Sequence, residues 1–290
     1  MTIYEATRQL ISRLALIYDH REATAIADLV MENISGLKKV DRIIHKNTDL
    51  SLSASELLSK YSEDLLSHKP VQYVLHEAWF CGMKFYVDEQ VLIPRPETEE
   101  LVEWVIAEIQ SSKKKTETKL RILDIGTGSG CIAVALKKKL PEAEIHTCDI
   151  SREALEVAKR NAFSHKTDIQ FFQLDFLDEN SWSTLDSYQW IVSNPPYIPL
   201  YDKKNMQPNI VDYEPHLALF VTENNPLVFY EAIAAFAVKK LLPPGEVFLE
   251  LHEELASRIK ELFLGKNFKT AEIRKDIHGR DRMLKATMLL

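Results

Sequence analysis

The 290-residue chain contains only three cysteines and eight glycines, and it has no excess of basic residues. Cys81, Cys131 and Cys148 are widely spaced and form no CxxC pair, so neither a disulfide framework nor a zinc site is expected. The formal net charge of −7 argues against sequence-independent binding to DNA phosphates. That charge leaves open a protein partner with a basic patch.

Long apolar segments are also missing. The first ten residues contain Glu5 and Arg8 instead of an apolar signal core, and no apolar run approaches the roughly 18 residues of a membrane span. The composition, 46% hydrophobic and 27% charged, is ordinary for globular protein and excludes collagen-like and low-complexity classes. We therefore expect a soluble cytoplasmic protein that needs neither a membrane nor a metal.

The first part of the chain has the pattern of a small helical domain. The chain is longer than one compact core usually organises, which favours one large domain and one smaller domain. Up to about residue 75, apolar residues such as Leu10, Leu14 and Ile17 recur at helical spacing. The segment 53–56 (SASE) has the form of a capping box and predicts a helix start. Residues 1–75 are interpreted as a helical, substrate-recognition domain.

Residues 76–95 differ in character from this bundle. Aromatic and β-branched residues surround Gly82, which predicts a β-hairpin that links the two domains. Pro94 and Pro96 prevent a helix from starting before Pro96, and the acidic residues that follow favour a helix start there. A polar, lysine-rich loop is predicted over residues 110–119.

From residue 120 onward, short apolar runs alternate with helical segments. Continuous apolar strands in such an alternation indicate a parallel sheet covered by helices on both faces. The predicted strands are residues 121–125, 144–149, 169–174, 189–193 and 246–251, with helices at 131–139, 151–162 and 227–241. Residues 268–274 and 283–289 are predicted to pair as a hairpin at one edge. Residues 96–290 are thus interpreted as one α/β domain.

A glycine-rich turn joins the first of these strands to its helix. The run Gly126-Thr127-Gly128-Ser129-Gly130 allows a tight turn and a close approach of the backbone to a ligand. Asp149 ends the next predicted strand, where its carboxylate can accept hydrogen bonds from both hydroxyls of a ribose. Cys131 stands where a dinucleotide fingerprint needs its last glycine, so the turn suits a ligand without a pyrophosphate.

The tetrapeptide Asn194-Pro195-Pro196-Tyr197 directly follows a predicted strand. Ligands of open α/β sheets bind beyond the carboxyl ends of strands, so this segment is expected to face the site. Two successive prolines stiffen the backbone and remove two N–H donors. The Asn194 side-chain oxygen and the Pro195 carbonyl could each accept one N–H of a planar nitrogen and align it for in-line displacement, while Tyr197 packs on the planar group.

The glycine turn resembles motif I of the class I S-adenosylmethionine-dependent methyltransferases. In that setting the NPPY tetrapeptide marks methylation of a planar nitrogen in adenine, cytosine or glutamine. From about residue 69 onward the chain resembles the PrmC/HemK family, and its length and helical start agree. The segments that carry this resemblance are KPVQY (69–73), FCGMKF (80–85), VLIPRPETE (91–99), NIVDYEP (209–215) and KDIHGRDR (275–282). His76 departs from the family, in which glycine is common there.

The resemblance implies a Rossmann-like class I methyltransferase sheet with an N-terminal helical bundle joined by a β-hairpin. It also implies methylation of the glutamine side-chain nitrogen in the Gly-Gly-Gln tripeptide of class 1 peptide chain release factors. The implied donor is S-adenosyl-L-methionine, with S-adenosyl-L-homocysteine as the product. The helical domain of residues 1–75 would then help to grip the release factor.

The resemblance also implies roles for individual residues. The implied donor contacts are Gly126, Thr127, Gly128, Ser129, Gly130, Asp149, Phe176 and Asn194. The substrate glutamine is expected against Asn194, Pro195, Pro196 and Tyr197, of which Asn194, Pro195 and Tyr197 are the expected catalytic residues. Phe176 could pack on the adenine or be an ordinary core residue. Arg95 and Glu97 either have a supporting role at the border of the site or are charges at the start of a helix. His252 is either a base or a surface or edge-strand histidine.

Two other functions remain possible at this point. A DNA N6-adenine methyltransferase shares the tetrapeptide but needs an electropositive recognition region, whereas the net charge is negative both before and after residue 75. No direct sequence-specific binding of nucleic acid is therefore expected. A non-catalytic scaffold that binds the donor is disfavoured by the intact Asn194 and the intact glycine turn.

Overall fold

The structure is a computed structural model that describes residues 1–111 and 119–288. Most of the predicted lysine-rich loop and the end of the last predicted strand lie outside these residues. The chain forms two compact units. The first comprises Met1–Glu77 together with Gln207–Tyr213, and the second comprises Ala78–Met206 together with Glu214–Leu290.

The described residues contain helices and strands in the following order. The helices are α1 (Ile3–Leu14), α2 (His20–Ser35), α3 (Lys39–Ile44), α4 (Leu52–Leu66), α5 (Val71–Leu75), α6 (Pro96–Ser111), α7 (Cys131–Lys139), α8 (Arg152–Ser164), α9 (Pro208–Val211), α10 (His216–Leu219), α11 (Val228–Lys240) and α12 (Ala256–Leu264). The strands are β1 (Ala78–Phe80), β2 (Met83–Phe85), β3 (Arg121–Ile125), β4 (Glu144–Asp149), β5 (Gln170–Gln173), β6 (Tyr188–Ser193), β7 (Ile198–Pro199), β8 (Phe220–Val221), β9 (Leu241–Glu250), β10 (Phe268–Lys275) and β11 (Asp281–Met288).

The first unit is a helical bundle with its own apolar core. Leu14, Val30 and Leu65, on α1, α2 and α4, are fully buried in this core. The capping box predicted at residues 53–56 is wrong, because α4 begins at Leu52 and the side chain of Ser51 accepts the cap hydrogen bond from the Ala54 amide. Ser51 has the extended backbone that an N-cap needs (φ −62°, ψ 161°), and residue 53 already lies in the first turn.

The predicted hairpin is present at the start of the second unit. Strands β1 and β2 pair antiparallel, with Phe80 opposite Met83. Cys81 and Gly82 form the two-residue turn with φ values of 49° and 71°. Two positive φ values in succession are typical of the type I′ turn, whose twist matches that of a hairpin. The buried rings of Phe80 and Phe85 join the core beneath α6.

The second unit is built on a seven-stranded sheet with the order β10-β11-β9-β6-β3-β4-β5. Neighbouring strands from β9 to β5 are parallel, whereas β11 is antiparallel to both β9 and β10. The predicted edge hairpin is therefore confirmed, and the sheet is mixed because the last strand inserts beside β9.

Helices cover both faces of this sheet. Trp190 and Val192 of β6 pack on one face with α6 and α7, whereas Ile191 packs on the opposite face with α11 and α12. This arrangement explains why the strands are apolar without alternation. Because β9, β6, β3 and β4 are parallel neighbours, their carboxyl ends share one edge, and the candidate site lies there.

None of the helices in residues 1–111 and 119–288 is long and apolar enough to cross a membrane. Over the same residues, His, Cys, Asp and Glu side chains form no group of three or more that could hold a metal ion.

Candidate active site

The glycine-rich turn between β3 and α7 relies on the conformational freedom of glycine. Gly126, Gly128 and Gly130 have φ values of 73°, 52° and 79°. A Cβ atom at Gly126 or Gly128 would meet no atom within 4 Å, whereas one at Gly130 would lie 3.0 Å from the Cβ of Ala158. The first two glycines therefore border open space, and the third allows α7 to pack closely on α8.

The side chains within this turn point into the protein. Thr127 Oγ1 donates to Asp124 Oδ2 at 2.7 Å, and both residues are buried. Ser129 is also buried, and its carbonyl accepts from Asn161 Nδ2 at 2.8 Å. Burial raises the pKa of Asp124 to about 7. Thr127 and Ser129 can thus offer a ligand their backbone only, and Asp124 is an anchor of the turn that the sequence analysis missed.

Asp149 lies in direct contact with the glycine turn. Its Oδ2 accepts from the Gly128 amide at 3.0 Å, and its Oδ1 accepts from the Ser151 amide at 3.0 Å. Burial raises the pKa of the Asp149 carboxyl. Each carboxylate oxygen has a second lone pair, so Asp149 can still accept hydrogen bonds from a bound molecule.

Phe176 lies in the apolar core beside the end of β5. Its ring is buried, with centroids 5.6 Å from Trp182 and 5.2 Å from Phe236. Its carbonyl accepts from Trp182 Nε1 at 2.9 Å. Of the two roles left open for Phe176, these contacts favour the core position over an exposed face for a purine.

The tetrapeptide that follows β6 is tied to a buried carboxylate. Asn194 Nδ2 donates to Thr98 Oγ1 at 3.1 Å, and Thr98 Oγ1 donates to Glu250 Oε2 at 2.6 Å. Tyr197 donates its hydroxyl hydrogen to Glu250 Oε1 at 2.9 Å. Burial raises the pKa of both Glu250 and Tyr197. The two polar side chains of the tetrapeptide are therefore held by Thr98 and Glu250. Thr98 lies in the VLIPRPETE segment, which assigned it no role, and no motif identified Glu250.

Two oxygen acceptors of the tetrapeptide are left for a ligand. Among the described residues, no donor reaches Asn194 Oδ1 or the Pro195 carbonyl. Pro195 is buried, and Asn194, Pro196 and Tyr197 are half-buried. Asn194 Oδ1 and the Pro195 carbonyl form what we call the acceptor corner. This corner can accept two hydrogen bonds from a planar group that carries two N–H bonds.

The three residues with open roles have defined positions. Arg95 Nη2 donates to Glu214 Oε1 at 2.6 Å, so it anchors the segment that precedes α6. Glu97 is half-buried in the first turn of α6. His252 Nδ1 accepts from the Glu254 amide at 3.3 Å, and its ring lies edge-on to Tyr197 at 6.1 Å. His252 therefore caps the short 3₁₀ helix Glu253–Leu255 that follows β9.

The residues around the turn fit a ligand that contains a ribose. Open space above Gly126 and Gly128 admits a ligand along the backbone. The remaining lone pairs of Asp149 lie next to that space and suit ribose hydroxyls.

Two family models match the chain. The PrmC N-terminal domain matches residues 5–75, and the methyltransferase small domain matches residues 107–212. The release factor glutamine methyltransferase of Flavobacterium psychrophilum is 41% identical over 98% of this chain and 99% of its own length. The protein of the same name from Bacteroides thetaiotaomicron is 36% identical over 93% of this chain and 94% of its own length.

Solved methyltransferase structures share the fold. The hMettl16 catalytic domain in complex with an RNA hairpin superposes with a TM-score of 0.52 at 18% identity, covering 71% of this chain and 75% of that one. The 16S rRNA N2 G1207 methyltransferase of T. thermophilus, in complex with AdoMet and guanosine, has a TM-score of 0.52 at 16% identity. It covers 73% of this chain and 50% of that one. At such identities the likeness establishes the fold alone.

Proposed function

The chain belongs to the release factor glutamine methyltransferase family, and from this premise we propose that it methylates the glutamine of the Gly-Gly-Gln motif in class 1 peptide chain release factors. The methyl group goes to the side-chain amide nitrogen, and S-adenosylmethionine is the donor. Because these substrates are cytoplasmic, the protein acts in the cytoplasm. Residues 1–75, of which 5–75 match the PrmC N-terminal domain, take part in release-factor recognition.

The donor side of the site consists of the glycine turn and Asp149. The backbone at Gly126 and Gly128 borders the space for the ligand, and Asp149 would accept from the ribose hydroxyls. Bound S-adenosylmethionine supplies a methyl group on a positively charged sulfur, and S-adenosylhomocysteine remains after transfer. This electrophile is reactive in itself, so the protein has mainly to align the acceptor.

The methyl acceptor, a carboxamide nitrogen, is a weak nucleophile. The lone pair of a carboxamide nitrogen is delocalised into the carbonyl group, so it attacks poorly. Asn194 Oδ1 and the Pro195 carbonyl can each accept one N–H of the substrate amide, which fixes the nitrogen and raises its electron density. The Tyr197 ring can pack on the plane of the amide. One N–H proton leaves the nitrogen after methyl transfer.

The direction of the hydrogen bond between Asn194 and Thr98 carries this proposal. The Asn194 side chain uses its N–H end within the protein, at 3.1 Å from Thr98 Oγ1, which leaves its oxygen for a ligand. The corner thus presents two acceptors and no proline N–H, which suits an NH₂ group. A carbonyl or phosphate oxygen of a ligand would be repelled there.

The test is to incubate the full-length protein with isotope-labelled S-adenosylmethionine and a class 1 release factor, and to locate the label by mass spectrometry. We expect one methyl group on the glutamine of the Gly-Gly-Gln motif. A release factor with that glutamine replaced by glutamate is the matched control and should remain unlabelled. Parallel reactions with adenine-containing DNA should show no label. Label in DNA would favour the DNA methyltransferase alternative, and no label in any reaction would favour the scaffold.

A further inference from the structure

We propose that Glu250 and Thr98 are positioning residues, which set the direction of the hydrogen bonds that hold Asn194 and Tyr197. This inference deepens the proposed function and rests on it for its catalytic meaning. It concerns a connected set of four side chains, of which only Asn194 and Tyr197 belong to the NPPY tetrapeptide. Glu250 and Thr98 act through these two side chains and have no assigned contact with the substrate.

The two positioning residues come from elements that flank the tetrapeptide. Glu250 is the last residue of β9, and Leu249 before it pairs with Ser193 at the end of β6. Thr98 lies in the first turn of α6. Both residues are almost completely buried, with exposed fractions of 2% for Glu250 and 3% for Thr98. Water therefore has little access to the hydrogen bonds that these residues make.

A carboxylate can only accept hydrogen bonds, and this property fixes the direction of each bond in the set. Thr98 has a single hydroxyl hydrogen, and it is directed to Glu250 Oε2 at 2.6 Å. The Thr98 oxygen can then only accept from Asn194, so the Asn194 Nδ2 end must face Thr98. Of the two orientations of the Asn194 amide, only the one with Oδ1 on the proposed substrate side is therefore compatible with Thr98.

The second oxygen of Glu250 has the same effect on Tyr197. The phenol hydrogen is donated to Glu250 Oε1 at 2.9 Å, so it is not available as a donor to the substrate. The tyrosine therefore serves through its ring, whose orientation the hydrogen bond restricts. One carboxylate thus orients both the Asn194 oxygen and the Tyr197 ring.

A nearby positive charge favours the ionised form of Glu250. Burial raises the pKa of Glu250, whereas the hydrogen bonds from Thr98 and Tyr197 and the charge of Arg282 lower it. Arg282 is itself held by Asp276, with 3.2 Å between Nε and Oδ2. The guanidinium thus offsets part of the cost of burying a carboxylate at the end of β9.

The Thr98→Val and Thr98→Ser pair separates positioning from packing. Valine has the shape of threonine without the hydroxyl, so it breaks the connection between Glu250 and Asn194 while it fills the same space. We expect Thr98→Val to lower kcat for release-factor methylation by on the order of 100-fold, the scale of a misplaced reacting group. Its KM for release factor and its affinity for the donor should change little. Thr98→Ser restores the hydroxyl and should recover most of kcat.

The Glu250→Gln variant reverses one hydrogen-bond direction. The new amide must direct an N–H to Thr98 or to Tyr197, both of which are donors to Glu250 in the native protein. A donor facing a donor displaces one of the two side chains, so we expect kcat to fall again with donor affinity preserved. Glu156→Gln, the same change at an exposed glutamate on α8, is the control and should retain native kinetics.

A readout that does not depend on turnover completes the test. In protein labelled with ¹⁵N-asparagine, the Asn194 side-chain amide protons, assigned by their loss in Asn194→Ala, should exchange slowly with solvent in the wild type and in Thr98→Ser. They should exchange fast in Thr98→Val. Native kcat together with slow exchange in Thr98→Val would overturn the positioning role. Absence of release-factor methylation by the wild type would instead overturn the proposed function, while the exchange experiment would still decide the positioning role.

Discussion

The carboxamide of Asn194 has two ends with different tasks. Its Nδ2 donates to Thr98, and in the proposed function its Oδ1 accepts from the substrate amide. Asn194→Ala removes both groups, so we expect kcat for release-factor methylation to fall by on the order of 10²–10³-fold, the usual cost of losing one oriented hydrogen-bonding group in a reacting site. Steady-state kinetics measure the loss, and calorimetry should show that donor binding is retained at least in part. A near-normal kcat would remove Asn194 from the catalytic role.

The carboxylate of Asp149 is expected to contribute to donor affinity. Asp149→Ala removes two acceptors for ribose hydroxyls and the support of the Gly128 amide. We expect donor binding to weaken by about 1–3 kcal/mol, the usual cost of leaving buried hydrogen-bonding groups unpaired. Calorimetric titration with S-adenosylhomocysteine measures the change. Asp168→Ala, which removes an exposed carboxylate ahead of β5, is the matched control and should bind normally. Equal affinities for the two variants would contradict the assignment.

The groups proposed for the site follow from local patterns in the sequence, whereas the supporting roles of Thr98 and Glu250 do not. The glycine turn, Asp149 and the tetrapeptide are local patterns at the ends of predicted strands. Thr98 and Glu250 lie 96 and 56 residues from Asn194, and no spacing rule connects them. Phe176 shows the same difficulty, because a phenylalanine after a strand has the same sequence pattern whether its ring faces a ligand or the core.

His76 shows how a departure from a family pattern can preserve the backbone. It stands at a position where glycine is expected from the resemblance to the PrmC/HemK family. Its backbone adopts the left-handed conformation with φ 54° and ψ 41°. Glycine is favoured in that conformation because it has no Cβ. The departure therefore alters the side chain at the end of α5 and keeps the conformation that a glycine would take.

Most elements that frame the site could be predicted because their boundaries are marked by local chemistry. The bounds of β3, β4 and α7 are confirmed residue for residue, since glycine, aspartate and proline lie at their ends. Strand β9 was predicted to begin at residue 246 and instead begins at Leu241, which pairs with Tyr188 before an irregularity in register. The prolines in between exclude regular pairing, so a local pattern could not reveal this extension.

The three glycines of the turn have different surroundings, so their replacement should have different effects. Gly128→Ala adds a methyl group in the open space proposed for the donor, whereas Gly130→Ala forces a contact of 3.0 Å with Ala158. Alanine at either position also has to adopt a positive φ. We expect Gly130→Ala to lose about 1–3 kcal/mol of stability from strain and overpacking. Gly128→Ala should lose less stability and more donor affinity.

Thermal unfolding and donor titration on both variants separate these effects. Gly36→Ala is the control for strain alone, because it has a φ of 67° and no atom within 4 Å of the added Cβ. It should leave donor affinity unchanged. The opposite ranking, with the larger affinity loss in Gly130→Ala and the larger stability loss in Gly128→Ala, would contradict the division between a ligand-facing and a packing glycine.

The order of the strands brings the groups proposed for donor and acceptor binding to one edge of the sheet. Strands β9, β6, β3 and β4 are consecutive in the sheet, and they carry at their carboxyl ends Glu250, the tetrapeptide, the glycine turn and Asp149. Strand–helix alternation predicts that these ends share an edge, because the strands are parallel. It does not determine the order of the strands or the insertion of β11, because that choice depends on which distant strands pair. At the scale of the whole molecule, the negative net charge and the family membership both favour a protein substrate over DNA.

The stability of the second unit should depend on pH through Asp124. Its pKa is raised to about 7 by burial, whereas an aspartate in an unfolded chain titrates near pH 4. Between these values the native state keeps a proton that the unfolded state has released, so the contribution of Asp124 to stability falls as the pH rises from about 4 to about 7. Asp124→Asn does not titrate, and its amide oxygen can still accept from Thr127 and Thr147.

We therefore expect the stability difference between wild type and Asp124→Asn to shift in favour of the variant on going from pH 5 to pH 8, by on the order of 2 kcal/mol. Taking the difference cancels the other titrating groups. All four tryptophans, Trp79, Trp104, Trp182 and Trp190, lie in the second unit, so urea unfolding followed by tryptophan fluorescence reports the unit that contains Asp124. A difference that stays constant between the two pH values would mean that Asp124 has the same protonation state in the folded and the unfolded chain.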